Sequence, residues 1–471
     1  MYCPVADFPQ ADLLEGDRIL EIEEILAFDD QVFEPGSRPN TELALRLITG
    51  EVSGWTVPFA SATFDHHRDT PDQGLFTCLF GRDSLIIANL LGREGSKLLL
   101  NVVCALAEYQ GSQSDWASEE QPGRIPHEVR QPTDPQAIKI IAESGWKFPY
   151  YGSVDATLLW LCALERLSRS DSDLLERKVR GQSLSSRAEQ ATLWVIDRIS
   201  QGRGWVRSNR TNPKGILNQV WKDSGDSYLT ASGQLALETG TASIETVGES
   251  YDALVSASKI CARTSSRWAL SPKQLTDLAD ELRARLLNSW WLGDRFALGI
   301  GSIDGRETLL DAIASNQWRL LDSTILDGAE FSEFVNPLVN GACDPEILGP
   351  HGIRTLGKSN PRYRPAGYHT GSSWPVDSAL VVRGLLRHQA IPEATEISRL
   401  TLGAIEGVGA YPELFRSDLA EPSGVSRFVI DVWDPALQGR NRVCQPPQLL
   451  QGWTVAAYDF LTKQKTTLGL R

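Results

Sequence analysis

Residues 78–91 read CLFGRDSLIIANLL, and this stretch places Arg82 and Asp83 directly before a run of apolar residues. The same arrangement occurs in YYGSVDATLLWL (residues 150–161) and in YHTGSSWPVDSALVVRGLL (residues 368–386). In each stretch an aromatic and an acidic residue stand at the start of a segment whose apolar residues recur every three or four positions. Because that spacing is typical of a buried helix, the three stretches predict helices whose first turns carry polar side chains.

Helical periodicity continues along most of the chain after residue 80. It predicts helices in residues 84–109, 154–169, 186–199, 243–262, 272–291, 376–406 and 446–463, and some of these are long enough to be helix pairs. The connections are rich in Gly, Pro and Trp and cover residues 111–145, 201–225, 336–371 and 407–442. Long loops between packed helices are uncommon unless they have a function. The pattern indicates a toroid of paired helices with its loops on one rim, and an ordinary multi-helix bundle is the alternative that periodicity leaves open.

The first 80 residues have a different character. An amphipathic run at residues 19–27 is followed by the turn-rich PGSRPN at residues 35–40, and then by strand-like segments at residues 43–49 and 55–64. We therefore predict a small, partly β N-terminal arm over residues 1–80 and a helical main domain over residues 81–471.

The composition excludes several classes of protein. The chain has 46 basic and 60 acidic residues, a net charge of −14, and 41% hydrophobic residues, which is unlike a disordered chain, a collagen or a basic nucleic-acid binder. The acidic balance favours a small neutral or cationic partner over nucleic acid or a membrane surface. Seven cysteines without a C-x-x-C pair indicate free thiols. With no signal-like segment and no long apolar run, we expect a cytoplasmic protein; the oligomeric state stays open.

Unusual side chains collect in the predicted loops and at their ends. They are Trp221, Trp374, Trp433, His127, His369, Asp83, Asp155, Asp223, Asp226, Asp377 and Glu413. A pocket of aromatic faces and carboxylates suits a sugar, whose C–H face stacks on an indole while its hydroxyls bind charged oxygens. Each acid at a helix start also has a simpler interpretation as a helix cap or first-turn acid, but capping alone is a poor explanation for three such junctions.

Two carboxylates stand out from the helical pattern. In NQVWKDSGDSY (residues 218–228), Asp223 lies beside Trp221 and Lys222. Burial against an indole raises the pKa of a carboxyl, as a general acid at neutral pH requires; a solvated turn is the alternative. In GVGAYPELFRSD (residues 407–418), Glu413 lies among apolar residues, where a carboxylate is either paired or placed to activate water. Only a closed fold can bring together two residues that are 190 positions apart.

Other chemistries lack their motifs. The sequence has no phosphate-binding G-x-x-x-x-G-K-[ST] loop, no G-x-S-x-G elbow and no H-E-x-x-H pair. His66 and His67, with acidic neighbours, are interpreted as a surface turn and not as a metal site. We therefore expect no metal.

Six motifs occur in one order along residues 80–415: FGRDSLI, PGRIPHEVR, YYGSVDATLLWL, NQVWKDSGDS, YHTGSSWPVDSALVVRGL and YPELF. In this combination the chain resembles the amylo-α-1,6-glucosidase domain of the glycogen debranching enzyme family. The resemblance implies a mainly α fold, the (α/α)6 toroid of six-hairpin glycosidases, and hydrolysis of an α-glucosidic bond with inversion. It implies Asp223 as general acid and Glu413 as general base. It also implies a glucose subsite lined by Arg82, Asp83, Tyr151, Asp155, Trp221, Lys222, His369 and Trp374.

Alternative functions remain open at this point. Within the enzyme class, the substrate could be a small α-glucoside, such as a glucosylated compatible solute, or a short oligosaccharide instead of a branched polymer. Sucrose-cleaving invertases and trehalases share the toroid, but their loops are less similar. A catalytically silent sugar-binding protein is the alternative outside the enzymes, although two retained carboxylates argue against it. Acid/base cleavage needs only two carboxylates and water, so a carbohydrate partner and no cofactor are expected.

Overall fold

The computed structural model describes residues 39–61, 76–92, 96–418 and 450–470. Their α-helices are α1 (Thr41–Ile48), α2 (Gly81–Leu90), α3 (Ser96–Glu108), α4 (Pro135–Ser144), α5 (Asp155–Ser168), α6 (Leu184–Gln201), α7 (Ile244–Arg263), α8 (Pro272–Ser289), α9 (Asn316–Arg319), α10 (Ser332–Gly341), α11 (Pro375–Arg387), α12 (Ile391–Val408) and α13 (Gly452–Gln464). Short antiparallel strands lie between them: β1 (Thr49–Val52), β2 (Trp55–Pro58), β3 (Leu79–Phe80), β4 (Glu128–Val129), β5 (Lys178–Val179), β6 (Gln182–Ser183), β7 (Ala242–Ser243), β8 (Gly299–Ile303), β9 (Arg306–Leu310), β10 (Leu348–Gly349) and β11 (Gly352–Ile353).

Six helices form a closed inner ring. Helix α2 packs on α5, α5 on α7, α7 on α9, α9 on α11, α11 on α13, and α13 returns to α2. Each inner helix has an outer partner: α3 packs on α2, α6 on α5, α8 on α7, α10 on α9, α12 on α11, and α1 on α13. Six helix pairs closed into a ring are an (α/α)6 toroid. The predicted fold class is therefore confirmed, and the alternative of an ordinary multi-helix bundle is wrong.

The two rings differ in sequence because they bury different fractions of their surface. Inner helix α2 is buried at nine of its ten positions. Outer helix α8 buries only the stripe Leu275, Ala279, Leu282 and Leu286 and exposes charged residues on its other face. This stripe has the spacing of an amphipathic helix. A capping box between Ser271 and Gln274 starts the same helix.

Most of the predicted helices are confirmed, and two of the long segments are pairs. The segment 84–109 contains α2 and α3, and the segment 376–406 contains α11 and α12. Helices α4 and α10 were not predicted. Helix α4 lies in the segment 111–145 and most of α10 lies in the segment 336–371, and both segments were interpreted as connections. Proline stands at the start of α4 and inside α10, at Pro337, which obscures their periodicity.

The N-terminal arm is partly as predicted. The amphipathic run at residues 19–27 lies outside the described residues. The predicted strand at residues 43–49 is wrong, because Thr41–Ile48 is a helix of good helix-forming residues that the Asn40 side chain caps. The hairpin of β1 and β2 follows it and packs on α3 through β2. The described part of the arm thus belongs to the wall of the toroid, where α1 is the outer partner of α13.

Among the helices of the described residues, none combines the length and the apolar composition that a bilayer-spanning segment needs.

Candidate active site

A recess lies where inner helices α2, α11 and α13 begin, and we call it the central recess. Its ≈ 320 Å³ of empty space includes the part that is open to solvent. Its lining consists of Ala60, Phe76, Arg82, Asp83, Trp221, Asp223, Tyr368, His369, Trp374, Glu413, Gln451 and Trp453. The helix starts and the long loops between the helices therefore converge on one site, as the predicted rim of loops requires.

One wall of the central recess is aromatic. The rings of His369 and Trp374 are stacked with centroids 5.3 Å apart, and Trp221 meets both edge-on at 5.4 and 5.6 Å. The indole N–H of Trp374 donates to the Tyr368 carbonyl at 2.8 Å. Burial holds the pKa of His369 well below its ordinary value, so the ring is neutral at physiological pH. This wall is a fixed apolar surface of the kind that receives the C–H face of a sugar.

Another part of the lining is charged. Arg82 lies 3.5 Å from Asp83, 3.4 Å from Asp155 and 3.9 Å from Asp223, each measured from a guanidinium nitrogen to a carboxylate oxygen. All four side chains are buried. Burial raises the pKa of Asp83 to about 6, against the opposing effect of the Arg82 charge. Arg82 therefore connects the start of α2 with the start of α5 and with the loop that carries Asp223.

The acidic residues at the helix starts are not helix caps. The cap positions of α2, α5 and α11 are Phe80, Val154 and Trp374, and none of them makes a side-chain capping bond. The acidic residues Asp83 and Asp155 lie instead within the first turn of their helices. The simpler interpretation as caps is therefore wrong for them, although a first-turn carboxylate still gains from the helix dipole.

Asp223 and Glu413 lie in the same recess, and each is only 6% exposed. Oε1 of Glu413 accepts a hydrogen bond from the Tyr368 hydroxyl at 2.6 Å and a longer one from the Gln451 amide at 3.5 Å. Donors to a carboxylate favour its charged form. The closed ring thus brings together the two carboxylates that the sequence separates.

Backbone pairing holds the loop of Glu413 in place. Ser373 and Phe415 exchange two hydrogen bonds, at 2.9 and 2.8 Å, which join this loop to the segment before α11. The backbone N–H of Gln451 donates to the Tyr411 carbonyl at 2.9 Å and joins the loop to the start of α13. Glu413 therefore sits between two helix starts and not on a free loop.

Side-chain contacts hold the loop of Asp223. The Asn218 amide donates to the Ser224 carbonyl at 2.8 Å, and the Ser224 hydroxyl lies 2.6 Å from Nδ1 of His369. Lys222 is fully buried and donates to the Thr355 carbonyl at 2.6 Å. These bonds attach the loop to the segment that precedes α11.

Three of the predicted subsite residues do not line the central recess. Asp155 lies behind Arg82. Lys222 lies behind Trp221, with its ammonium 5.2 Å from the indole ring, and burial lowers its pKa to about 8. Tyr151 donates to the Tyr109 carbonyl at 2.6 Å and lines a different recess. The remaining predicted residues do line the central recess: they are Arg82, Asp83, Trp221, Asp223, His369, Trp374 and Glu413.

Sequence reasoning missed several lining residues. Tyr368 stands next to His369 in a stretch that was already singled out. Gln451 and Trp453 stand at the start of the last predicted helix, where a polar and an aromatic residue repeat the arrangement seen before the other helices. Trp433, His66 and His67 lie outside the described residues. The part of the chain that the structure describes contains no group of three His, Cys, Asp or Glu side chains suited to a metal ion.

Comparison with known proteins supports the fold. No protein-family model matches the chain, and no curated protein matches it either. Among solved structures, a GH63 mannosylglycerate hydrolase from Thermus thermophilus in complex with Tris and D-glycerate is similar, with a TM-score of 0.59, 12% identity, and coverage of 90% of this chain and 98% of that one. The same enzyme in complex with glucose is similar with a TM-score of 0.55 and 12% identity, and the match covers 90% of this chain and 98% of that one. A wild-type glycosidase is similar with a TM-score of 0.54 and 14% identity, and the match covers 92% of this chain and 95% of that one. At these identities the similarity establishes the (α/α)6 toroid.

Proposed function

We propose that this protein is a glycoside hydrolase that removes a terminal α-glucosyl unit with inversion, with Asp223 as general acid and Glu413 as general base. The observation that carries the proposal is the presence of both buried carboxylates in one recess that aromatic side chains also line. The similar structures include glycosidases, one of them with bound glucose, and the six sequence motifs point to the same chemistry.

In the proposed reaction, protonated Asp223 gives its proton to the glycosidic oxygen as the bond from that oxygen to C1 breaks. A water molecule attacks C1 from the opposite face, and ionised Glu413 takes the proton that the water loses. Arg82 stabilises the Asp223 carboxylate that remains after proton donation, since its guanidinium lies 3.9 Å away. An inverting pair needs a carboxyl separation of roughly 6.5–9.5 Å so that the water fits.

The same recess supplies binding groups for the glucosyl unit. Trp221 and Trp374 offer apolar faces and edges to its C–H bonds, and Asp83 and Arg82 offer charged partners to its hydroxyls. Nε of Arg82 and Oδ2 of Asp83 are buried and lie 3.5 Å apart as an ion pair, and neither makes a hydrogen bond within the described residues. A sugar hydroxyl would satisfy both, which is how buried polar groups favour a polar ligand.

Two kinds of leaving group are compatible with this site. The motif resemblance favours the α-1,6 branch of a glycogen-type polymer. The similar mannosylglycerate hydrolase, with its D-glycerate complex, favours a small α-glucoside or short oligosaccharide as the second candidate. A silent sugar-binding protein is disfavoured, because it would have no use for a Glu413 that two donors orient.

We further propose a cytoplasmic location, since Cys78, Cys104, Cys162, Cys261 and Cys343 are free thiols.

The test is to incubate the purified protein with glycogen limit dextrin, isomaltose, panose, maltose, sucrose, trehalose and glucosylglycerol, and to follow released glucose by proton NMR. We expect β-glucose as the first anomer from an α-linked substrate, and no release by Asp223→Asn or Glu413→Gln. The best substrate identifies the leaving group. First release of α-glucose would contradict inversion. Binding without release from any substrate would point to the silent binder.

A further inference from the structure

A second recess lies on the outer wall of the toroid, between the end of α3 and the first half of α6, and we call it the outer recess. It is an open groove whose ≈ 1150 Å³ of empty space includes the part that is open to solvent, and it shares no lining residue with the central recess. Its principal side chains are Tyr109, Glu120, Tyr151, Arg180, Gln182 and Gln190. Tyr151 is the residue that the sequence motifs placed in the glucose subsite, and the catalytic proposal does not use it.

The floor of the outer recess is rigid. The Gln110 side chain donates to the Gly123 carbonyl at 3.0 Å and to the Arg187 carbonyl at 2.9 Å. Gly123 has a φ of +84°, and a Cβ atom there would lie 2.2 Å from the Gln190 carbonyl oxygen, so only glycine fits. The Tyr151 hydroxyl is held by the Tyr109 carbonyl. A recess with such a floor keeps its shape without a ligand.

Arg180 occupies an unfavourable backbone position at the rim. It has a φ of +47° and forms, with Gly181, the two-residue turn between β5 and β6. Such turns favour Asn, Asp or Gly, because a left-handed backbone conformation is unfavourable for other residues. The comparable turn between β8 and β9 has Asp304 at this position, with a φ of 51°. A long cationic side chain here therefore suggests a role for the side chain itself.

The Arg180 side chain extends over the recess. Its guanidinium carbon lies 5.3 Å from the centroid of the Tyr109 ring, and its Nε lies 3.5 Å from a carboxylate oxygen of Glu108. The Tyr109 hydroxyl lies 2.7 Å from the hydroxyl of Ser53 in the β1–β2 turn. Arg180 and Tyr109 thus form a preorganised rim with an aromatic edge and a cationic donor.

The remaining groups of the outer recess suit a neutral polyhydroxyl ligand. Two glutamates and two arginines line it, so their charges balance. The side chains of Gln182, which is exposed, and Gln190, which is half-buried, both line the space. Tyr151 is only 4% exposed, so Tyr109 is the aromatic group that a ligand would meet here. An aromatic ring with amide donors and acceptors beside it can bind the apolar and polar sides of a sugar ring.

From this arrangement we propose that the outer recess is a second carbohydrate-binding site, which takes a neutral α-glucan oligosaccharide. The choice of a glucan rests on the proposed function, whereas the site itself rests on the recess geometry. A contact chain joins the two recesses. Tyr151 is two residues from Ser153, whose hydroxyl donates to Asp155, and Asp155 pairs with Arg82 of the central recess. A chain-binding site in the same wall favours an oligosaccharide or polymer substrate over a small glucoside.

The test is a calorimetric titration with maltoheptaose in the Asp223→Asn background, which prevents turnover. We expect two classes of site. Arg180→Gly combined with Gln190→Ala should weaken the second class at least tenfold, and Arg180→Gly should not destabilise the fold because glycine relieves the backbone strain. Asp304→Gly is the matched control, since it changes the same turn position away from the recess, and it should leave both classes unchanged.

A single class of site that the double variant does not alter would overturn the proposal. With Asp223 restored, the double variant should raise KM several-fold for the longest glucan that the wild-type protein hydrolyses, and leave hydrolysis of p-nitrophenyl α-glucoside unchanged. An equal KM would also contradict the second site. Because the titration needs no turnover, it decides this proposal even if no glucose is released, and its failure leaves the assignment of Asp223 and Glu413 untouched.

Discussion

The hydroxyl of Tyr368 donates a 2.6 Å hydrogen bond to Oε1 of Glu413, and the two residues reach the central recess from separate loops. Tyr368 lies before α11, whereas Glu413 lies between α12 and α13. The orientation of the proposed base is therefore a product of the closed ring, and it can be tested separately from the presence of the carboxylate.

Tyr368→Phe should move the acidic limb of the pH dependence of kcat/KM to higher pH. The reason is that the hydroxyl stabilises the charged form of Glu413 and its removal makes protonation easier. We expect kcat to fall about tenfold at neutral pH, measured as glucose release. Tyr363→Phe is the matched control, since Tyr363 bonds Ser417 at 2.7 Å and does not line the recess. An unchanged acidic limb in the Tyr368 variant would contradict the positioning role.

Asp223→Asn should lower kcat by roughly 10²–10⁴-fold, because a carboxamide cannot give a proton to the leaving oxygen. Glucose binding, followed by calorimetry, should remain within a few-fold of wild type. Asp226→Asn in the same loop is the control, since Asp226 does not line the central recess. Should the two variants lose activity equally, or should the Asp223 variant keep most of its turnover, Asp223 is not the general acid.

Asp83→Asn should flatten the pH dependence of stability between about pH 4 and pH 6. Burial raises the pKa of Asp83 to about 6, above the value of about 3.9 for an unfolded chain. Its contribution to the free energy of unfolding is thus fully present below about pH 4 and is lost as the pH rises through about 6, an effect of about 3 kcal/mol. Urea unfolding across this range measures it. The exposed Asp277→Asn should show the wild-type dependence, and an Asp83 variant that does the same would contradict the prediction.

Gly81→Ala should destabilise the protein and reduce its activity. A Cβ atom at this position would lie 2.1 Å from the Pro126 carbonyl oxygen, so the start of α2 must shift and take Arg82 and Asp83 with it. We expect a loss of about 1–3 kcal/mol. Gly403→Ala, on the exposed face of α12 with nothing within 4 Å of its Cβ position, should instead gain about 0.5–1 kcal/mol. Thermal unfolding of both variants checks the pair, and a neutral Gly81 variant would show that the close approach is not restrictive.

The helices were predictable because a helix that buries one face needs apolar residues at every third or fourth position. The segments 84–109 and 376–406 carry apolar residues on a helical period, and each proved to be an inner and an outer helix in succession. Errors arose where local signals conflict. The segment 43–49 alternates like a strand but consists of good helix formers, and proline at the start of α4 and inside α10 hid two helices.

The sequence predicted a site of carboxylates and aromatic rings, and the catalytic and binding roles of its residues stay predictions. Motif positions identified Asp223, Glu413 and the aromatic wall, all of which line the central recess. Tyr151 and Lys222 carry the same kinds of signal, yet one faces the outer recess and the other lies behind Trp221. The direction in which a side chain points from a loop depends on the neighbours that pack around it, and residue type alone does not contain that information.

The sequence by itself determined a mainly helical chain and the kinds of groups at its loops, because periodicity and residue chemistry are properties of near neighbours along the chain. Periodicity left a toroid and an ordinary bundle open, and the motif resemblance favoured the toroid. Only the tertiary structure decided which of those groups meet. Closure of α13 onto α2 brings Gln451 and Trp453 beside Arg82, and it places Glu413 in one recess with an aspartate 190 positions earlier. Such contacts depend on packing between distant segments, which gives a definite geometry only when the whole ring is formed.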